Sequence, residues 1–111
     1  MTDKEIKIEK FREANRSAKT RQVVFAGSSL MEMFPINKLL EEHGDETVIY
    51  NRGIGGFVSR ELMDVLDVCV LDLKPSAVFI NIGTNDLSDS SIPISELIEN
   101  YDKIISRIEA A

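Results

Sequence analysis

The segment QVVFAGSS, Gln22–Ser29, decides the fold of this chain because an apolar run ends on glycine and leads into two serines. Its strand is predicted at Gln22–Gly27. Two further runs have the same form, TVIYNRG at Thr47–Gly53 and AVFINIG at Ala77–Gly83. All three are rich in the β-branched and aromatic residues that favour strands. The sequence therefore predicts three buried strands.

A helical pattern follows each strand. Apolar residues recur at steps of three and four along Ile94–Ile108, which predicts a long helix with one continuous apolar stripe. A shorter helix is predicted through Leu62–Cys69, ending before Pro75. After the first strand, a helix from Pro35 to the glycine stop at Gly44 is expected to turn two residues inward, Leu39 and Leu40.

Residues 3–19 predict a charged leading helix that turns three apolar residues inward: Ile8, Phe11 and Ala18. The order is then one helix followed by three strand–helix units, which is typical of a parallel sheet covered on both faces. At 111 residues the chain can form one domain at most.

Composition excludes several classes of function. The net charge is −6 and no dense cluster of lysine and arginine occurs, which argues against nucleic acid or an anionic membrane as partner. No apolar run approaches the ~18 residues of a membrane span. The N-terminal sequence is charged where a signal peptide turns apolar, so a cytoplasmic location is expected. Cys69 is the only cysteine, so no internal disulfide can form and a buried thiol is expected.

Three turns of small residues follow the three strands: GSS at 27–29, NRGIGG at 51–56 and GTND at 83–86. Parallel sheets bind ligands beyond the carboxyl ends of their strands. Each turn alone is ordinary strand-to-helix chemistry, and only their combination indicates a site. The dinucleotide-binding pattern G-x-G-x-x-G is not present, because Val58 occupies its last glycine position, and the lysine of a phosphate-binding loop is missing as well. The only histidine, His43, stands apart from Cys69, so neither a cofactor nor a metal is expected.

These three turns resemble the conserved blocks of the SGNH (GDSL-type) hydrolases, in the right order and at matching intervals. The resemblance implies that Ser29 is the nucleophile, with Ser28 in place of the usual aspartate. It also implies that Gly56 lends a backbone N–H and Asn85 its side-chain amide to an oxyanion hole, together with the Ser29 N–H. An acyl-transfer site needs such a hydroxyl and such donors. Ser28 is then expected to turn the corner.

The resemblance implies a flavodoxin-like, three-layer α/β/α sheet truncated to about three strands. Residues 1–20 would be an N-terminal arm and residues 21–111 the N-terminal half of a hydrolase domain. Bacterial acylhydrolases similar to the platelet-activating-factor acetylhydrolase catalytic subunits are the nearest subgroup. The implied activity is hydrolysis of a small-molecule or lipid carboxylic ester without a cofactor.

One block of the family is missing, because no Asp-x-x-His occurs in the chain. His43 is predicted at a helix end leading away from Ser29, so it cannot serve as the base. Little turnover is therefore expected from the chain as given. Two alternatives stay open: a non-catalytic module that binds a small anion or sugar at the same edge, and a structural fragment without a ligand.

Five further expectations concern individual residues and one edge of the sheet. Asp86 is expected to hold its turn by accepting backbone N–H groups, and Arg52 to form a surface salt bridge. Phe57 fits either an apolar contact at the site or simple packing, and Met31 and Met33 fit core packing. The third strand is expected to leave an apolar edge that the missing C-terminal half would cover, or else a second copy or the N-terminal helix.

Overall fold

The computed structural model describes all residues from 1 to 111. Seven α-helices, three strands and one 3-10 helix follow one another along the chain. In order they are α1 (Asp3–Asn15), β1 (Val23–Gly27), α2 (Ser29–Glu32), α3 (Ile36–Glu42), β2 (Ile49–Gly53), α4 (Ser59–Asp64), α5 (Leu66–Cys69), the 3-10 helix (Leu71–Leu73), β3 (Ala77–Asn81), α6 (Thr84–Ser88) and α7 (Ile94–Ala110).

The three strands form one parallel sheet in the order β2-β1-β3. Gly27 at the end of β1 lies in register with Gly53 of β2 and Asn81 of β3. The carboxyl ends of all three strands therefore meet at one edge, and the predicted parallel α/β fold is confirmed.

The two faces of the sheet are covered unequally. Val24 and Ala26 of β1 are buried in a core built with residues of the flanking helices, among them Leu62, Leu66 and Ile104. Because side chains alternate along a strand, their neighbours point to the other face. There the rings of Phe25 and Phe79 lie 5.4 Å apart between centroids, and Phe79 remains 56% exposed.

The helices differ from the sequence expectations in four places. Leu39 does not turn inward and is exposed, and the main contact of α3 with the sheet is with β2. Met33 is also exposed rather than part of the core. In α7 the stripe is buried at Ile104 only, whereas Ile94 and Ile98 are each 64% exposed. The short helix α2 between β1 and α3 was not predicted.

The N-terminal helix packs where its apolar residues predict. Ile8, Phe11 and Ala18 contact the core, and α1 lies against α5. It does not reach the outer edge of β3, so the expectation that α1 covers that edge is wrong. No helix is both long and apolar enough to cross a membrane.

The exposed edge of β3 leads to a prediction about association. The strand pairs on one side only, with β1, and its free side carries unpaired backbone groups beside Phe79. Such an edge is a template for another strand. We expect the chain to dimerise through β3, giving twice its 12.5 kDa mass in light scattering and slow amide exchange along residues 78–82. A monodisperse monomer with rapid exchange there contradicts this, and Phe79→Lys is expected to dissociate the dimer.

Candidate active site

Ser28 and Ser29 have different surroundings at the end of β1. Ser28 is buried, its N–H donates to the carbonyl oxygen of Asn81 at 3.2 Å, and its own carbonyl accepts the N–H groups of Met31 and Glu32 at 3.1 and 2.9 Å. It thus joins β1 to β3 and starts α2. Ser29 is the first residue of α2, is half-buried, and its hydroxyl has no hydrogen-bond partner within the chain.

Two residues of β2 hold α2 in place. A Cβ atom added to Gly53 would lie 2.8 Å from the backbone carbon of Met31, so only glycine allows α2 this close to the sheet. The Asn51 side chain donates to the carbonyl oxygens of Met31 at 2.6 Å and Phe34 at 3.3 Å, and accepts the Gly53 N–H at 3.0 Å. The NRG sequence is therefore a seat for the helix that carries Ser29 as well as a strand end.

The glycine loop after β2 lies beside Ser29. A Cβ atom built on Gly55 would be 4.0 Å from the Cβ of Ser29. Gly56 has a φ of +81°, a left-handed conformation that favours glycine, and it is exposed. Neither the Ser29 N–H nor the Gly56 N–H donates a hydrogen bond within the chain. Two unused donors are therefore present at the same edge of the sheet.

Asn85 adds a side-chain donor from the third strand end. It lies in the first turn of α6, and its Nδ2 donates to the carbonyl oxygen of Phe57 at 2.9 Å. An amide nitrogen carries two hydrogens, and the second has no partner within the chain. The bond to Phe57 places the Asn85 amide next to the loop that carries Gly56.

Asp86 connects two elements of the site. Its carboxylate is 2% exposed and accepts the Ser59 N–H at 2.8 Å and the Ser59 hydroxyl at 2.7 Å. The Asn100 amide donates to the same Ser59 hydroxyl at 3.1 Å. Asp86 does accept a backbone N–H, as expected, but from the start of α4 rather than from its own turn. Sequence analysis missed Ser59 and Asn100 because nothing in their local sequence marks them.

Three other sequence expectations have clear outcomes. Arg52 forms no salt bridge: it is buried, donates to the Phe11 carbonyl oxygen at 3.2 Å and lies 4.7 Å from that ring, and burial lowers its pKa. Phe57 is 2% exposed and is a core residue. His43 is exposed at the end of α3, where its N–H donates to the Leu39 carbonyl oxygen.

Cys69 is buried, as the sequence predicts, and burial raises the pKa of its thiol to about 12. No group of three or more histidine, cysteine, aspartate or glutamate side chains is placed to hold a metal ion. The polar groups at the strand ends that have no partner within the chain include the Ser29 hydroxyl, the Ser29 and Gly56 N–H groups and one hydrogen of the Asn85 amide.

Comparison with known proteins shows which family the chain belongs to. A sequence model of the GDSL-like Lipase/Acylhydrolase family matches residues 34–111, which is more than half of the chain. The chain belongs to this family. The match includes Gly56 and Asn85 and begins beyond Ser29. No curated protein matches the sequence.

Several solved structures are similar in fold to this chain. A candidate platelet activating factor from Streptococcus pneumonia is 30% identical, with a TM-score of 0.80, over 96% of this chain and 48% of that one. A GDSL-like lipase from Bacteroides thetaiotaomicron is 21% identical, with a TM-score of 0.78, over 93% and 53%. A candidate acylhydrolase from Bacteroides fragilis is 23% identical, with a TM-score of 0.77, over 92% and 51%.

The two Bacteroides structures show a shared fold. This GDSL-like chain spans about half the length of each of the three solved proteins.

Proposed function

We propose that this chain carries the nucleophile and the oxyanion hole of a carboxylic ester hydrolase. In the proposed reaction the Ser29 oxygen attacks the ester carbonyl carbon and the carbonyl oxygen becomes negative. The Ser29 N–H, the Gly56 N–H and the free hydrogen of the Asn85 amide stabilise that oxygen. The observation that supports the proposal is that these donors, which follow three strand ends at the same edge of the sheet, have no acceptor within the chain.

The donors account for a large part of the expected rate enhancement. Preorganised N–H groups stabilise a developing negative charge without reorganising during the reaction, and removing one typically costs about 2.7–4 kcal/mol of barrier. Each donor here is held by the backbone or by a defined bond, since Gly56 follows a tethered Gly55 and Asn85 is anchored on Phe57.

The proposed reaction also needs a general base that takes the Ser29 proton. Ser29 Oγ has no hydrogen bond to any side chain, and the only histidine is exposed at the end of α3. A serine without its base keeps only the contributions of binding and of the oxyanion hole. We therefore propose that the 111-residue chain turns over esters weakly, and that an Asp-x-x-His segment would supply the base.

A non-catalytic function at the same edge is the second candidate. It is favoured by the lack of a hydrogen bond between the Ser29 hydroxyl and any base. Free N–H donors beside such a hydroxyl can hold a small anion or a sugar oxygen without a reaction. The two candidates differ in whether Ser29 forms a covalent bond.

A fluorophosphonate probe separates the two candidates. We expect it to attach to Ser29 when the chain is extended by an Asp-x-x-His segment, with the adduct located by mass spectrometry. Ser29→Ala abolishes the adduct, Asn85→Ala slows its formation about 100-fold, and the exposed Ser90→Ala changes nothing. Persistent failure to label the extended protein, while it remains folded, favours the binding module.

A further inference from the structure

Lys4 of α1 contacts the glycine loop directly. Its Nζ donates to the Gly56 carbonyl oxygen at 3.2 Å and to both carboxylate oxygens of Glu61 at 2.9 Å. Glu61 in turn accepts the Val58 N–H at 3.0 Å. Lys4 therefore holds the loop in two ways. It binds the Gly56 carbonyl oxygen directly, and it pairs with Glu61, whose carboxylate accepts the Val58 N–H at the start of α4.

Lys7, one helical turn further along α1, holds the other end of the loop. Its Nζ pairs with Glu32 Oε2 at 2.6 Å, while Glu32 Oε1 accepts the Gly55 N–H at 2.9 Å. Glu32 belongs to α2, the short helix that begins at Ser29. This second contact links α1, the helix of Ser29 and the first glycine of the loop.

We propose that Lys4 and Lys7 are positioning residues, through which α1 fixes the Gly56 N–H in the orientation that the oxyanion hole needs. The inference rests on the proposed function of Gly56. Two consecutive glycines give this loop more conformational freedom than any other residue pair would. Gly56 is exposed, and within the loop its φ of +81° is restrained by one turn bond, from the Phe57 N–H to the Ile54 carbonyl oxygen at 3.2 Å. From outside the loop, Lys4 binds the Gly56 carbonyl oxygen and Lys7 acts through Glu32 on the Gly55 N–H. These two contacts lie on either side of the Gly56 N–H, and the Asn85 bond holds the following residue, Phe57.

The two contacts are expected to matter for geometry more than for stability. Side chains of both ion pairs are about one-third exposed, at 36% and 35% for Lys4–Glu61 and 37% and 31% for Lys7–Glu32. Exposed pairs contribute little to the free energy of unfolding. Small displacements of a catalytic group, in contrast, reduce rates strongly. Loss of the lysines should therefore leave the fold intact and loosen the loop.

The test compares a Lys4→Met/Lys7→Met double variant with Lys10→Met, an exposed lysine of α1 that makes no hydrogen bond or ion pair. Amide ¹⁵N relaxation of the full chain reports the order parameter of Gly56. We expect it to fall from the rigid range of about 0.85 to below about 0.6 in the double variant only. A Lys4→Arg/Lys7→Arg variant is expected to restore the order parameter of Gly56. The melting temperatures of the three variants should remain close to that of the unmodified chain.

Ser29 labelling by the fluorophosphonate probe, in the extended protein, provides the functional measurement. We expect the double variant to label about tenfold more slowly than Lys10→Met. An unchanged Gly56 order parameter overturns the inference, and so does a loosened loop with an unchanged labelling rate. If Ser29 labels in no variant, the proposed function fails instead, and the order parameter alone then decides whether α1 restrains the loop.

Discussion

Replacing Gly27 with alanine is expected to destabilise the chain strongly. A Cβ atom at this position would lie 2.1 Å from the Asn81 carbonyl oxygen and 2.9 Å from its carbonyl carbon, both of them backbone atoms of β3. Neither can move aside, because the same oxygen accepts the Ser28 N–H and β1 pairs with β3 along its whole length. Gly27 also has a φ of +151°, a backbone conformation that is strained for any residue with a side chain.

Overpacking and backbone strain together are expected to cost about 4 kcal/mol at Gly27, against a total stability of about 5–15 kcal/mol for a domain of this kind. Thermal unfolding followed by circular dichroism should show a melting temperature lower by about 15–30 °C, or no folded state.

Gly44→Ala is the matched control for this substitution. Gly44 has a φ of +67° but no atom within 4 Å of an added Cβ, so it tests strain without a clash and should cost only about 1 kcal/mol. Equal losses at Gly27 and Gly44 would show that the contact with β3 is not what requires glycine.

The strand ends could be predicted from sequence because their signals are local. Gly27 and Gly53 each close an apolar run, and both mark the point where the chain leaves the sheet. Parallel pairing then brings such points to one edge whatever the details of helix packing, which is why Gly56 and Asn85 could be placed near each other before the structure was known.

Contacts between distant elements could not be predicted in the same way. Lys4 meets Gly56, and Arg52 packs under Phe11, only because α1 lies across the sheet at one particular angle. That angle is set by the packing of whole faces and leaves no trace in the spacing of charged residues. A lysine on a charged helix and an arginine in a strand look like surface residues until the helix is placed.

Leu39 and Ile98 show the reverse error. Both fit an inward-facing helical pattern, yet both are exposed. Periodicity indicates which side of a helix is apolar, but it does not say whether this chain supplies the surface that covers it. The apolar side of α7 and the ring of Phe79 are both exposed because no other part of this chain covers them.

Asp86→Ala is expected to destabilise the chain by about 3 kcal/mol. The substitution leaves two buried donors, the Ser59 N–H and the Ser59 hydroxyl, without the carboxylate that accepts both of them. A buried donor that loses its partner costs about 1–3 kcal/mol. Asn100 does not replace the lost acceptor, because its Nδ2 donates to the Ser59 oxygen.

Asp89→Ala is the matched control for Asp86→Ala. Asp89 also accepts a hydroxyl and a backbone N–H from one serine, Ser91, at 2.6 and 2.9 Å, and these bonds lower its pKa. Asp89 is exposed, however, so water can accept from the Ser91 donors once the carboxylate is gone. The melting temperature of Asp89→Ala should therefore stay near that of the unmodified chain. We expect Asp86→Ala to melt about 10–20 °C lower than the unmodified chain.

Asp86 also connects the start of α6 to the start of α4. At temperatures below the melting temperature of the Asp86→Ala variant, we therefore expect it to label at Ser29 more slowly than the unmodified protein. Equal melting temperatures for the two variants would mean that the buried carboxylate is not what joins the loops of Gly56 and Asn85.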